Sequence, residues 1–302
     1  MSDTQRGCRL LVPDGSLEEE VQRLLFEAGI PVYFSGDRQN RGKIRNPDLF
    51  PPPFDGVIRM RPQDAVWMVA DEKADLAFAG DDLIAEFGYG RDLAAVRRYP
   101  ISRGGVGETR IVVAVPHDSP IQSIGQITPE CELVTEYPSL ATRWLQERGV
   151  TPRIRLSHGK TEVFGGGIAD VIVENTETGN SLTVGGWRII DEIMRSQLRV
   201  FTHGNAGSFM SWLEDEFCLL LDSVINARSY RLIKCNSPAE RLEAVLAILP
   251  AAGSPTVSQL ADKLGFAIES VVLAKQVPGL VTRLRQAGAQ AVIDLEMAKY
   301  IP

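Results

Sequence analysis

The chain has 302 residues, 44% of them apolar and 24% charged, the balance of a soluble folded protein long enough for two or three domains. A net charge of -7 and a pI near 5.2 argue against a general binder of nucleic acid or anionic membrane, while leaving room for a small basic pocket. No stretch approaches the ~18 apolar residues of a membrane span, and Met1–Gly7 has no apolar signal core, so a cytoplasmic protein is expected.

In chain order, Cys8–Pro13 reads as a strand. Asp14-Gly15-Ser16 is a turn, and Asp14 or Ser16 can cap a helix with an acidic first turn, Glu18, Glu19 and Glu20, that ends at Gly29. Residues 35–56 are polar, with Pro47 and Pro51-Pro52-Pro53, and read as a long irregular loop. Val57–Met60 reads as a strand, Pro62–Lys73 as a helix, Ala74–Gly80 as a strand and turn, and Asp81–Glu86 as a helix. Arg110–Pro116 opens a second lobe with further strands at Glu132–Thr135 and Arg153–Leu156, separated by a helix from Leu140 to Gly149. This alternation predicts parallel α/β sheets. His203–Ser208 interrupts the periodicity, and a helix follows from about Ser211 to Ala227. The tail reads strand (230–235), helix (238–249), loop, strand (265–272), helix (277–287) and strand (291–295). That order suits a ferredoxin-like module.

The chemistry is concentrated in one stretch. Ala169–Val173 reads as a buried strand ending at Glu174, followed by Asn175-Thr176-Glu177-Thr178-Gly179-Asn180-Ser181-Leu182 and then an amphipathic segment from Trp187 to Met194. A strand, a hydroxyl-rich turn and a helix start can gather backbone N–H groups and hydroxyls around phosphate oxygens. A carboxylate just before the turn accepts hydrogen bonds from a sugar diol, so the pair suits a ribose 5-phosphate. The same residues also fit a plain strand-to-helix turn capped by Thr178 or Ser181. Cys8, Cys131, Cys218 and Cys235 are widely spaced and read as reduced thiols. Together with His117, His158 and His203 they offer no metal-ligand spacing, so no protein-held metal is expected. No nucleophile elbow or Walker loop is present in the sequence.

Taken together, the ordered motifs resemble the long form of ATP phosphoribosyltransferase, the first enzyme of histidine biosynthesis. The resemblance rests on Leu11–Leu17, Ile58–Pro62, Ala74–Gly80, Thr135–Leu140, Ala169–Leu182 and the tail Ser254–Leu260. It implies a two-lobed catalytic unit like a type II periplasmic binding protein, followed by a ferredoxin-like (ACT-like) regulatory domain. The expected boundaries are 1–108 with 187–228 for lobe I, 109–186 for lobe II and 229–302 for the regulatory domain. Residues Glu174, Thr176, Glu177, Thr178, Gly179, Asn180, Ser181 and Leu182 would bind phosphoribosyl pyrophosphate. Asp14, Gly15, Arg59, Asp75, Gly80, Tyr137, Lys160 and Glu162 would face the nucleotide, with Glu174 and Arg59 as the catalytic pair. Thr256 and Ser258 would contact histidine, a feedback inhibitor. Mg²⁺ would be carried by the pyrophosphate, and a homo-oligomer, dimer or hexamer, is implied.

The chain departs from the family pattern in four places. Asp14 stands where the family usually has Lys, a charge reversal beside a phosphate-rich substrate, and Lys160 is a candidate to restore that charge. Ser181 replaces Thr, Glu174 replaces Asp, and Gly165-Gly166-Gly167 precedes the key strand. Two classes of function follow: an active transferase regulated through its tail, or a paralogue that takes another acceptor or keeps the cleft as a binding and regulatory module.

Overall fold

The computed structural model describes residues 7–36, 39–51, 54–102, 105–165, 167–250, 253–261 and 263–302. Pro52, Pro53 and Gly166, singled out above, lie outside them, as do residues 1–6. The chain forms two compact units, Met1–Arg23 with Ile30–Glu214, and Leu24–Gly29 with Asp215–Pro302.

Lobe I begins with β1 (Cys8–Pro13), α1 (Glu18–Ala28, whose residues from Leu24 on are grouped with the second unit), β2 (Val32–Phe34), β3 (Arg41–Ile44), β4 (Phe54–Met60), α2 (Pro62–Ala70), β5 (Leu76–Gly80), α3 (Asp81–Phe87) and β6 (Leu93–Tyr99). A small ribbon of β7 (Ile101–Ser102) and β8 (Gly105–Val106) leads to lobe II. There β9 (Thr109–Pro116), β10 (Glu132–Thr135), α4 (Pro138–Gln146), β11 (Arg153–Leu156), β12 (Val171–Thr176), α5 (Asn180–Val184) and β13 (Trp187–Ser196) follow. β14 (Leu198–His203) then returns to lobe I. Among the described residues the lobe I sheet has the order β2-β3-β4-β1-β5-β14-β6, and the lobe II sheet β11-β10-β12-β9-β13.

The local reasons are simple. Leu10, Leu11 and Val12 of β1, and Leu76 to Ala79 of β5, are buried on both faces, as parallel strands under helices must be. Pro62 and Pro138 start α2 and α4 at the position where a missing N–H costs nothing. One apolar cluster joins both lobes. Leu11 and Ala77 of the first sheet and Val66 and Val69 of α2 belong to it, together with Val113, Leu133, Ala141 and Leu145 of lobe II.

Two readings of the sequence need correction here. Residues 35–56 are not all loop, because β3 pairs with both β2 and β4; its Arg-Gly-Lys-Ile sequence shows no apolar alternation. Trp187–Met194 is not helical: β13 pairs antiparallel with β9, with register shifts between Ile189 and Asp191 and between Glu192 and Met194. Each shift adds a residue, so Trp187, Ile190 and Met194 recur at the three- and four-residue spacing of a helix. The helix lies earlier, at Asn180–Val184. With β13 in the lobe II sheet, that lobe runs to about residue 196 rather than 186.

The second unit carries α7 (Leu219–Ser229), which follows α6 (Ser208–Trp212) of the first unit and a π-helical turn at Leu213–Cys218. Then come β15 (Tyr230–Pro238), α8 (Leu242–Leu246), β16 (Thr256–Gln259), β17 (Gly265–Leu273), α9 (Val277–Ala287) and β18 (Gln290–Leu295). The sheet order β16-β17-β15-β18, antiparallel throughout, is that of a ferredoxin-like domain. Ile233, Cys235, Ile268 and Val272 pack under Val245, Leu280 and Leu284 of the two helices. Residues 254–260, read as a loop, contain the exposed edge strand β16. No helix among the described residues is long and apolar enough to cross a membrane.

Candidate active site

β1, β4 and β5 run parallel, as do β10, β11 and β12, and ligands of open α/β sheets gather beyond the carboxyl ends of such strands. A cavity of about 190 Å³ lies there in the first unit. Its walls are Asp14, Ser16 and Leu17 after β1, Arg61, Pro62 and Gln63 after β4, Leu83 and Phe87 of α3, and Glu136 and Tyr137 after β10. Arg61 Nε faces Asp14 Oδ2 at 3.5 Å, with both side chains open to solvent. Gly15 has φ +101°, a left-handed backbone that favours glycine and lets the turn after β1 form beside Arg61.

The hydroxyl-rich turn lies at the end of β12. Gly179 takes the left-handed conformation at the N-cap of α5 and offers no capping side chain. The turn is held from within: Gly179 N–H donates to Thr176 Oγ1 at 2.9 Å and Asn180 N–H to Thr178 Oγ1 at 3.4 Å. Glu177, Thr178, Asn180 and Ser181 are exposed, whereas Thr176 and Gly179 are buried. Leu182 is buried beside Ala114, Ile172 and Trp187, so its side chain anchors the turn instead of facing a ligand. Glu177 accepts a hydrogen bond from Ser102 Oγ at 2.7 Å.

Glu174 is the chemically unusual group. It is only 7% exposed, and its Oε1 accepts from the backbone N–H and the side-chain Nδ2 of Asn175, each at 2.8 Å. Its Oε2 is buried without a hydrogen-bond partner, as is the hydroxyl of Thr161. Burial pushes the Glu174 carboxyl above the usual range. The Asn175 N–H and the nearby Thr161 hydroxyl oppose that rise, while the negative charges of Glu136 and Glu162 add to it. The Thr161 hydroxyl thus influences Glu174 without a well-formed hydrogen bond. A buried carboxylate oxygen without a donor is costly, and a ligand with hydroxyl groups would satisfy it. Glu136, on the cavity wall, and Glu174 follow the paired residues Thr135 and Val173 of the parallel strands β10 and β12, so the cavity and the turn lie at the ends of neighbouring strands.

Several residues singled out from sequence stand elsewhere. Arg59 is tied to Glu18 Oε1 at 2.8 Å and stacks 4.7 Å from the Phe34 ring centroid, outside the cavity wall that Arg61 supplies. Asp75 precedes β5, at the end of the strand away from the cavity; its Oδ2 accepts from Arg9 N–H at 2.7 Å, and it borders a separate hollow with Thr202 and His203. Gly80 is not on the wall either; a Cβ there would stand 2.2 Å from Asp82 Oδ1. Lys160 takes a left-handed backbone at φ 52° ahead of the turn Thr161–Phe164. The ion pair that Asp14 makes is with Arg61, not with Lys160. Glu162 accepts at its carbonyl from Trp187 Nε1 at 2.8 Å. Thr256 and Ser258 pair with Glu269 and Ala267 across β16 and β17, and so share one face of that sheet. Among the described residues no group of three or more His, Cys, Asp and Glu side chains could hold a metal ion.

Sequence reasoning missed Arg61, Glu136 and Thr161. Glu136 lies inside the Thr135–Leu140 motif, and Arg61 is two residues from the arginine chosen. The visible signal was therefore the motif, without the direction in which each side chain points.

A family model described as "ATP phosphoribosyltransferase" matches residues 61–216, and one described as "HisG, C-terminal domain" matches residues 227–299. The ATP phosphoribosyltransferase of Chlorobium phaeovibrioides is 31% identical over all of both chains. That of Pelotomaculum thermopropionicum is 31% identical over 97% of this chain and 99% of its own. Among solved structures, the ATP phosphoribosyl transferase (HisG:HisZ) complex from Thermotoga maritima superposes with a TM-score of 0.58 at 24% identity, covering 72% of this chain and 98% of that one; it speaks for the fold. With both family models placed in order along the chain and relatives of this identity over its full length, this protein belongs to the ATP phosphoribosyltransferase family.

Proposed function

We propose that the chain transfers phosphoribose from phosphoribosyl pyrophosphate to N1 of ATP, releasing pyrophosphate, in the cytoplasm. The carrying observation is Glu174, a buried carboxylate with an unpartnered oxygen at the head of the hydroxyl-rich turn. The ribose diol donates to Glu174, while Thr178, Ser181 and the first N–H groups of α5 take the 5-phosphate. The adenine enters the cavity beside Glu136 and Tyr137. N1 carries its own lone pair, so attack on ribose C1 needs no strong base, and catalysis consists of alignment and charge stabilisation as pyrophosphate departs. Mg²⁺ comes with the pyrophosphate, as suits an ion that keeps few protein ligands.

Thr178→Ala combined with Ser181→Ala tests this assignment. It is expected to weaken phosphoribosyl pyrophosphate binding about tenfold or more, since each lost charge-assisted hydrogen bond is worth about 1.5–3 kcal/mol, and to leave the fold intact because both side chains are exposed. Calorimetry with Mg²⁺ present and absent measures both the affinity and its metal dependence. Unchanged affinity sinks the assignment.

The ferredoxin-like domain is proposed to bind histidine at the β16 face that carries Thr256 and Ser258, to transmit feedback inhibition, and to support a homo-oligomer. Histidine at 100 times its dissociation constant stabilises the native state by about 2.7 kcal/mol, so a melting-temperature rise and loss of turnover are expected together. Full activity at millimolar histidine with no thermal shift leaves the domain an assembly role alone. A second reading, a different and less anionic acceptor, is favoured by one observation: two carboxylates, Asp14 and Glu136, share the cavity wall with the single guanidinium of Arg61.

A further inference from the structure

Helix α3 is only seven residues long, yet Asp81, Asp82 and Glu86 are all buried. Buried carboxylates persist only where they are paired or hydrogen-bonded, and each of these has a distinct set of partners. Asp81 stays within lobe I, held by Arg199 Nε at 2.7 Å and Arg98 Nε at 2.9 Å. The other two cross to lobe II. Asp82, 3% exposed, accepts from the Tyr137 hydroxyl at 2.9 Å and from Ser196 Oγ at 2.5 Å, and its own N–H donates to Ser196 Oγ at 3.1 Å. Glu86, 4% exposed, receives the backbone N–H groups of Ser139 at 2.9 Å and Leu140 at 2.7 Å. Its two oxygens thereby cap the N-terminus of α4, where a negative charge also meets the helix dipole. The segment between these anchors is tied from its other side as well: Tyr137 N–H donates to Thr135 Oγ1 at 2.9 Å, and that hydroxyl donates to Val173 O at 2.8 Å.

We propose that Asp82 and Glu86 are positioning residues that set the Glu136–Tyr137 wall of the acceptor cavity before any ligand arrives, an inference that rests on the acceptor reading given above. Neither carboxylate lines the cavity, so neither touches the nucleotide. The Tyr137 hydroxyl is committed to Asp82 and its ring is packed in the core, so the tie fixes the segment that carries Glu136 at the cavity wall. Gly80 belongs to the same device, because a side chain at that position would displace the Asp82 carboxylate that Ser196 and Tyr137 share. A wall fixed in advance avoids the ordering cost of binding and contacts ground state and transition state alike. Its loss therefore raises KM with little change in kcat.

The test uses Tyr137→Phe, Glu86→Gln and Asp82→Asn in the full chain, with steady-state kinetics for both substrates, calorimetry with ATP and thermal unfolding. Tyr137→Phe and Glu86→Gln are each expected to raise KM for ATP about five- to tenfold, with kcat within about twofold and KM for phosphoribosyl pyrophosphate unchanged. ATP binding should weaken by the same factor. Because Tyr137 acts through Asp82, adding Tyr137→Phe to Asp82→Asn should cost almost nothing further. If Asp82→Asn fails to fold, Tyr137→Phe and Glu86→Gln still decide the matter. An unchanged KM for ATP overturns the proposal, as does a fall in kcat with a rise in both KM values in step with a falling melting temperature, which marks a merely structural tie. Wild-type protein that binds no ATP overturns the acceptor reading and this inference with it, whereas ATP binding that is equal in wild type and variants overturns this inference alone.

Discussion

Glu174→Gln is expected to cost about 100-fold in affinity for phosphoribosyl pyrophosphate while raising the melting temperature. Both signs come from the same oxygen. In the free protein Glu174 Oε2 is buried without a donor, a penalty of about 1–3 kcal/mol for a polar group and more when it is charged. The amide keeps the shape and removes the charge. At about 2–4 °C per kcal/mol for a domain of this size, a gain of several degrees should be visible. With the donor bound, the carboxylate accepts charge-assisted hydrogen bonds from the diol at about 1.5–3 kcal/mol each, and two of them reach the 100-fold figure.

The pH dependence of this effect has a definite sign. Burial raises the folded pKa of Glu174 above its ordinary value of 4.5, so the group's contribution to stability is fully present below 4.5 and is lost as pH rises through the folded value. Wild type and Glu174→Gln should therefore unfold at nearly equal temperatures near pH 4 and diverge toward neutrality, with the variant the more stable. The bound diol favours the charged form, so donor binding should release protons across the same window. A variant that melts lower than wild type at pH 7 would show that Glu174 is structural.

The second large effect is expected at Asp14. Asp14→Lys should lower KM for ATP about tenfold at low ionic strength, with most of that gain lost in high salt. The substitution reverses a charge at the cavity mouth and releases Arg61 from its partner. At short range and intermediate dielectric such a change is worth a few kcal/mol, but a solvent-open cleft screens much of it. Stability should hardly move, because the Asp14–Arg61 pair is exposed on both sides and pairs of that kind contribute little. Asp14→Asn should yield a smaller part of the gain. If neither variant changes ATP kinetics, Asp14 serves only the turn before α1.

Much of the fold was legible because burial is written in composition. The apolar runs of β1, β5, β9 and β12 announce strands covered on both faces, and Pro62 and Gly29 mark helix ends where the structure has them. Legibility failed where the regular period was interrupted or absent. Two added residues in β13 imitate helical spacing, and the Arg-Gly-Lys-Ile of β3 carries no hydrophobic stripe. At the site, the motif indicated which segments meet but not which side chain turns inward. Arg59 was chosen over Arg61 because both are basic and two residues apart; the ring of Phe34 and the carboxylate of Glu18 that hold Arg59 come from distant segments. Asp75 stands in the same motif as Gly80, yet a strand is long enough to put the two at opposite edges of a sheet. The roles of Asp82 and Glu86 depend on lobe II, which no local pattern reveals.

The place of β14 governs how this chain must fold. It lies between β5 and β6, yet it follows both in sequence, with the whole of residues 109–196 between. Until it emerges from the ribosome, β5 and β6 have unpaired edges, and Ala77 and Phe78 lack the cover that Phe201 and Val200 later bring across the pairing. An insert of that size would often fold as an autonomous piece, but the apolar cluster shared between the lobes ties its completion to lobe I. Such non-local closure is slow, and open strand edges are sites of misassembly while it is pending. Completion of the lobe I sheet therefore comes late in synthesis, and its vulnerable species is the nascent chain that ends before residue 203.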